Sequence, residues 1–265
     1  SLLEGYKGIA KLTEGTDITL NAMIVPTAVN IYSQKLPFGA VKGDQKTFLT
    51  QLQSDLAASG INWIDLSEPF AACDKATQLY YRTDHHWTSD AALLAYQTYN
   101  KTLGLGDSTT YSKNILSDSF KGTLSASSGL RTSETDEIYA YLPDQATDYT
   151  VSLTAENTKS ASVFDVQSLS TKSQYNVFFG GNHPEVVIDS ASESKRVLMV
   201  FKDSYANCFV PFLIPDYARI IMIDPRYYTE DISEAIQSNG VTDILFLYNA
   251  NTAAEDHSLY QLTAE

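Results

Sequence analysis

Val197-Leu198-Met199-Val200-Phe201-Lys202-Asp203-Ser204-Tyr205 is the stretch on which the fold turns. Five consecutive apolar residues are too few for a buried helix and match a strand in the middle of a sheet. At Lys202 and Asp203 the run breaks, and the apolar residues Phe209 and Phe212 beyond it predict a helix. Ser204 therefore stands at a strand-to-helix turn, where a hydroxyl is presented at the edge of a sheet.

The same rhythm extends outward in both directions. Downstream, residues 220–223 form a second apolar run, a helix starts at Asp231 and closes at Gly240, and residues 243–248 supply another strand. Upstream, Asn21-Ala22-Met23-Ile24-Val25 is halted by Pro26. Phe48, Leu49, Leu52 and Leu56 then sit at helical spacing before Gly60, and residues 61–66 read as the next strand. Such alternation predicts a three-layer α/β architecture around a mostly parallel sheet. Residues 105–194 differ: they are rich in Ser and Thr, with short alternating runs at 149–153 and 176–179. They read as a β-rich insertion within a single domain spanning residues 1–265.

At 265 residues and 43% hydrophobic content, the chain has enough material for one large core. Its 32 acidic residues against 18 basic ones give a net charge of -14, a surface that repels phosphate backbones and argues against a nucleic-acid partner. No apolar run is long enough to span a bilayer. The chain opens at Ser1 directly in helical sequence, which leads us to expect a signal peptide or membrane anchor ahead of it. Cys73 and Cys208 read as two separate free thiols, with Cys208 packed just beyond Ser204. Neither has the spacing of a metal site.

The other chemically loaded stretch is Tyr80-Tyr81-Arg82-Thr83-Asp84-His85-His86-Trp87-Thr88. It holds two of the four histidines, and Thr88 or Ser89 can cap a helix running through Ala91, Leu94 and Ala95. A carboxylate at Asp84 could fix the tautomer of His86 and leave its second nitrogen to act as a base. At Ser204, the leading N–H groups of the following helix could face a developing oxyanion. Each feature has a plain alternative, a hydrogen-bonded structural pair and an N-cap serine, but together they favour serine-based acyl transfer. The order Asp, His, Ser is admissible, because a triad is defined by geometry.

Tyr81-Arg82-Thr83-Asp84-His85-His86-Trp87-Thr88 matches the signature of the bacterial DHHW protein family. That family resembles the SGNH-hydrolase-like domains of the alginate O-acetylation proteins, whose motif is Asp-x-His-Trp-Thr. Further matches are Gly180-Gly181-Asn182-His183-Pro184, Lys202-Asp203-Ser204-Tyr205-Ala206-Asn207 and Asp224-Pro225-Arg226-Tyr227-Tyr228, so the resemblance covers nearly the whole chain. It implies Ser204 as nucleophile, His86 as base and Asp84 as orienter, on an SGNH-like sheet circularly permuted so that the Asp/His unit comes first. The permutation predicts an oxyanion-hole asparagine two strands after Ser204, where Asn249 stands with Asn251 as a second candidate; a turn residue is the plain alternative for Asn249. Lys202 stands where SGNH hydrolases usually carry glycine.

Other residues near these motifs have binding and structural readings side by side. Arg226 could hold an anionic sugar or polarise a carbonyl, or pair with an acidic neighbour. Tyr80, Tyr81, Trp87, Tyr205 and Tyr227 could stack on a sugar, or pack in the core. Asn182 and His183 could line the cleft, although a tight turn is the commoner use of such residues.

The resemblance implies a cell-surface O-acyltransferase or esterase acting on glycan hydroxyls, with no cofactor. A membrane-bound O-acyltransferase would be its partner. A non-catalytic glycan-binding module on the same scaffold is the competing expectation, supported by Lys202. Asp84-His85-His86 as a metal site of the DHH phosphoesterase type is disfavoured, since only His183 and His257 remain to complete a ligand set.

Overall fold

The computed structural model describes residues 2–106, 109–129 and 133–264. Residues 107, 108 and 130–132, which belong to the expected insertion, lie outside the described residues. The strands in chain order are β1 (Thr19–Val25), β2 (Asn62–Trp63), β3 (Tyr111–Phe120), β4 (Asp136–Pro143) and β5 (Tyr149–Leu153). They continue with β6 (Thr158–Ser160), β7 (Glu185–Ser190), β8 (Val197–Lys202), β9 (Arg219–Ile223) and β10 (Asp243–Asn249). Eight of them form one sheet in the order β2-β1-β10-β8-β9-β7-β5-β6. From β2 to β9 all neighbours are parallel; β7, β5 and β6 then add antiparallel.

Side chains alternate along each central strand, and both faces are buried. Leu198 and Val200 of β8 join Met23, Val25, Leu245 and Leu247 in one core. Met199 and Phe201 point the other way, to Ala22, Ile24, Ile244 and Phe246. A strand that must be apolar on both faces reads as a continuous hydrophobic run, which is why 197–201 shows no polar alternation. Helix Ser89–Leu103 covers the first face through Ala91, Ala92, Ala95, Tyr96 and Tyr99. Helices Leu2–Leu12, Gln45–Ala57 and Ile232–Ser238 cover the second. The result is the three-layer, mostly parallel α/β fold expected.

Three local expectations need correction. The 61–66 strand shrinks to β2 at the sheet edge, because Asp65 turns the chain by accepting from Ser67 N at 2.8 Å, opening a short helix. The 176–179 run is not a strand: Gln174–Val177 is a 3₁₀ helix, and Phe178 makes only a lone bridge to Phe164. After Ser204 the chain forms two 3₁₀ helices, Ser204–Cys208 and Val210–Asp216, rather than an α-helix. Pro211 and Pro215 lack the N–H groups that an α-helix there would need. The 105–194 stretch supplies strands to both sheets. Its β5, β6 and β7 extend the main sheet beyond β9, while β3 and β4 pair on their own.

Candidate active site

Because β1, β10, β8 and β9 run parallel, their carboxyl ends share one edge, and Ser204 follows β8 near the middle of it. Asp203 shapes the turn. Its Oδ1 accepts from Tyr205 N at 2.8 Å, and its Oδ2 accepts from Asn249 N at 2.9 Å, at the end of β10. Ser204 itself is half-buried and leads the 3₁₀ turn.

The Asp84/His86 loop is fixed from both sides. A bridge pairs Tyr80 with Trp87, and Thr88 caps helix Ser89–Leu103 by accepting from Ala91 N at 3.3 Å. Buried Asp136, at the start of β4, accepts from the N–H groups of Arg82 and Thr83 at 3.1 and 2.8 Å. Gly122 and Thr123 close the loop from below. Thr123 donates to Asp84 Oδ2 through its N–H at 2.8 Å and its hydroxyl at 3.2 Å. A Cβ on Gly122 would lie 2.2 Å from Asp84 Oδ2, so only glycine admits this approach.

These two edges bring three distant side chains into line. His86 Nε2 lies 2.7 Å from Ser204 Oγ, and His86 Nδ1 lies 2.5 Å from Asp84 Oδ1. The His86 ring stacks on Tyr175, with centroids 3.7 Å apart and planes 10° apart. Burial alone would raise the Asp84 carboxyl. The hydrogen bond and charge of His86, with the N–H groups of Thr123 and His86, outweigh it and hold the group well below the usual carboxylate range. A permanently ionised carboxylate on Nδ1 leaves Nε2 free to take a proton from Ser204 Oγ.

The family model for the SGNH hydrolase-like domain of acetyltransferase AlgX matches residues 6–172, a span that includes Asp84 and His86. The chain belongs to this family. Among solved structures, a DHHW family protein from Eubacterium siraeum is 25% identical, with a TM-score of 0.83 over 98% of this chain and 88% of that one. Bacillus cereus PatB1 is 21% identical, with a TM-score of 0.81 over 96% of this chain and 90% of its own. The O-acetyltransferase domain of Pseudomonas putida AlgJ is 14% identical, with a TM-score of 0.59 over 99% of this chain and 88% of that one. The PatB1 and AlgJ likenesses are of fold. No curated protein matches the chain.

Against this SGNH-like frame the remaining candidates fall into place unevenly. Asn249 does not present a free amide to an oxyanion: its Nδ2 donates to Asp203 Oδ2 at 2.6 Å and Thr252 Oγ1 at 2.7 Å. Its Oδ1 meanwhile accepts from Asn251 N and Thr252 N, capping the next helix. Asn251 is exposed in that helix. Arg226 grips buried Asp224 with both prongs, Nε at 2.8 Å and Nη2 at 2.6 Å, which is the structural pairing. Tyr80, Tyr81, Trp87 and Tyr205 are buried and belong to the core, whereas Tyr227 is half-exposed and lies beside the Arg226 guanidinium. His183 has both ring nitrogens occupied, by Glu156 Oε1 at 2.7 Å and the Phe179 carbonyl at 2.8 Å. It braces a turn in which Phe179, Gly180 and Gly181 all have positive φ.

Lys202 explains how a bulky residue fits the glycine position. The side chain is fully buried and turns away from Ser204 into a polar nest, donating to Asn182 Oδ1 and Asn207 Oδ1, both at 3.0 Å. Asp224 Oδ2 lies 3.5 Å away. Burial pushes the ammonium down to about 8, against the opposing pull of Asp224. Asn182 is thus tied to the Ser204 turn through Lys202 and through Asn207 Nδ2 at 3.1 Å, while staying solvent-facing.

Gly122, Thr123, Tyr175 and Asp203 are parts of the site that the motif reading missed. Asp203 stood inside the matched Lys202–Asn207 stretch without a role of its own, whereas Gly122, Thr123 and Tyr175 lie outside every matched stretch. Asp84, His85 and His86 also offer ligand atoms within 4.8 Å of one another. Both His86 nitrogens and both Asp84 oxygens are engaged in hydrogen bonds, to each other, to Ser204 Oγ and to Thr123.

Proposed function

We propose that this protein is a serine-dependent O-acetyltransferase acting on glycan hydroxyls at the cell surface. The observation that carries the reading is the continuous line Ser204 Oγ, His86 Nε2, His86 Nδ1, Asp84 Oδ1, with steps of 2.7 and 2.5 Å. Ser204 Oγ attacks the ester carbonyl as His86 takes its proton, and Asp84 stabilises the imidazolium. The carbonyl oxygen becomes an oxyanion, met by the Ser204 N–H, which as the first of its turn has no intrahelical acceptor. Collapse expels the leaving alcohol, to which His86 returns the proton, and leaves acyl-Ser204. An acceptor sugar hydroxyl then attacks the acyl carbonyl as His86 takes its proton, and the tetrahedral adduct collapses, breaking the bond to Ser204 Oγ, to which His86 returns that proton. Water in that role gives an esterase.

Solvent-facing Asn182 and Tyr227 are the side chains we assign to sugar contact. Among the described residues no helix is long and apolar enough to cross a membrane. We place the protein outside the cytoplasm, held at the membrane by a separate segment, where a membrane-bound O-acyltransferase would deliver the acyl group.

The test uses an aryl acetate and a sulfonyl fluoride; PatB1 has been solved with a sulfonyl adduct. Wild type should release acetate and gain one sulfonyl mass, and Ser204→Ala should do neither. A wild-type protein that binds a glycan but neither turns over nor labels would replace catalysis with a binding role.

A further inference from the structure

The segment between β1 and helix Gln45–Ala57 is drawn closed at its base. Gln45 Oε1 accepts from Thr27 N at 3.0 Å, and Gln45 Nε2 donates to Thr27 Oγ1 at 3.1 Å. At the tip, Phe38 and Val41 are 107% and 98% exposed, the two most exposed large apolar side chains described. Lys35, Lys42 and Lys46 flank them against a single acid, Asp44. That carboxylate is already spent on Thr47, whose N–H and hydroxyl it accepts at 3.1 and 2.7 Å. A cationic, apolar tip on a chain of net charge -14 is a local reversal of the whole surface.

Two isolated apolar side chains cannot make a protein interface, which needs roughly 800 Å² on each partner. They are enough to enter a lipid headgroup layer when lysines beside them meet anionic phosphates. The remaining acidic surface is repelled by such a bilayer, so this loop is the part of the molecule able to lead an approach. It also rises from the carboxyl end of β1, on the sheet edge that carries Ser204. Val29 and Val41 share a shallow groove with Ala250 and Asn251, just past β10.

We propose that the 28–44 loop, with Lys46 beside it, docks this protein on an anionic phospholipid surface. Phe38 and Val41 enter the headgroup layer, and Lys35, Lys42 and Lys46 sit among the phosphates. Docked in this way, the edge bearing Ser204 faces the bilayer. The binding claim does not rest on the chemistry at Ser204.

Co-sedimentation of the purified chain with phosphatidylglycerol-containing vesicles tests it. Wild type should bind these at low salt, about tenfold more weakly as salt is raised or when only phosphatidylcholine is offered. Phe38→Ser with Val41→Ser, and separately Lys35→Glu with Lys42→Glu, should each lower binding about tenfold while the melting transition stays unchanged. Vesicle binding that the two pairs of substitutions leave intact, or no binding by wild type, overturns the proposal. So does a concentration-dependent dimer that Phe38→Ser/Val41→Ser abolishes without any vesicle binding, which would assign the tip to a protein contact. Aryl acetate turnover in vesicle-free solution reads Ser204 independently and should be the same in all loop variants.

Discussion

The indole N–H of Trp87 donates to the backbone carbonyl of Tyr205 at 2.9 Å, and the Tyr205 hydroxyl donates back to the carbonyl of His85. The residue after the imidazole and the residue after the hydroxyl therefore stitch their two loops together. This gives Trp87 a physical reason to accompany the Asp84/His86 pair: its indole N–H ties the Ser204 turn to the loop in which His86 Nε2 lies 2.7 Å from Ser204 Oγ. Trp87→Phe leaves a buried carbonyl without its indole donor. It should cost about 1–3 kcal/mol in denaturant unfolding. Turnover of an aryl acetate should fall about tenfold through misplacement alone. Unchanged turnover would mean that the stitch serves stability only.

Asp84→Asn preserves shape but removes the charge that fixes the His86 tautomer, and should lower kcat about 10⁴-fold. It also carries a stability signature. The folded pKa of Asp84 is depressed, so its contribution is present above the ordinary carboxylate value of about 4 and is lost as pH falls through the folded value. Urea unfolding should show wild type ahead of Asp84→Asn at neutral pH, with the gap closing in acid. A gap that widens in acid would contradict the geometry.

Gly122→Ala would push a methyl group to 2.2 Å from both Cβ and Oδ2 of Asp84. We expect a loss of about 1–3 kcal/mol, from overpacking, together with a fall in turnover as Asp84 is displaced from His86. Gly43→Ala, where an added Cβ meets nothing within 4 Å, should change neither quantity. Thermal melts and ester hydrolysis of the pair separate a local steric effect from a general intolerance of glycine replacement.

Lys202 releases its proton near pH 8 in the folded state, below its ordinary value of about 10.4. Between those values the unfolded chain binds more protons, so wild-type stability should rise with pH relative to Lys202→Met. The same substitution frees Asn182 and Asn207 from their shared donor. We expect kcat/KM to drop about tenfold, with the alkaline limb of the wild-type pH profile flattened. An unaltered profile in Lys202→Met would show that the buried ammonium only fills space.

Sequence alone settled what depends on short stretches of chain. The apolar run 197–201 had to be a doubly buried strand, Thr88 or Ser89 could cap a helix, and Asp84, His86 and Ser204 were recognisable as chemistry waiting for a geometry. The same local logic overreached at 176–179, which begins in a 3₁₀ helix, and beyond Ser204, where the helix-like pattern became two 3₁₀ helices. Tertiary structure decided the rest, because the deciding contacts join residues far apart in the chain. Ser204 and His86 are separated by 118 positions. Asn249 looked free to meet an oxyanion until Asp203, 46 positions away, was seen to hold its amide. Hydrogen-bond capacity is a property of side chains, but whether it is spent depends on which partners the packed chain brings within 3 Å.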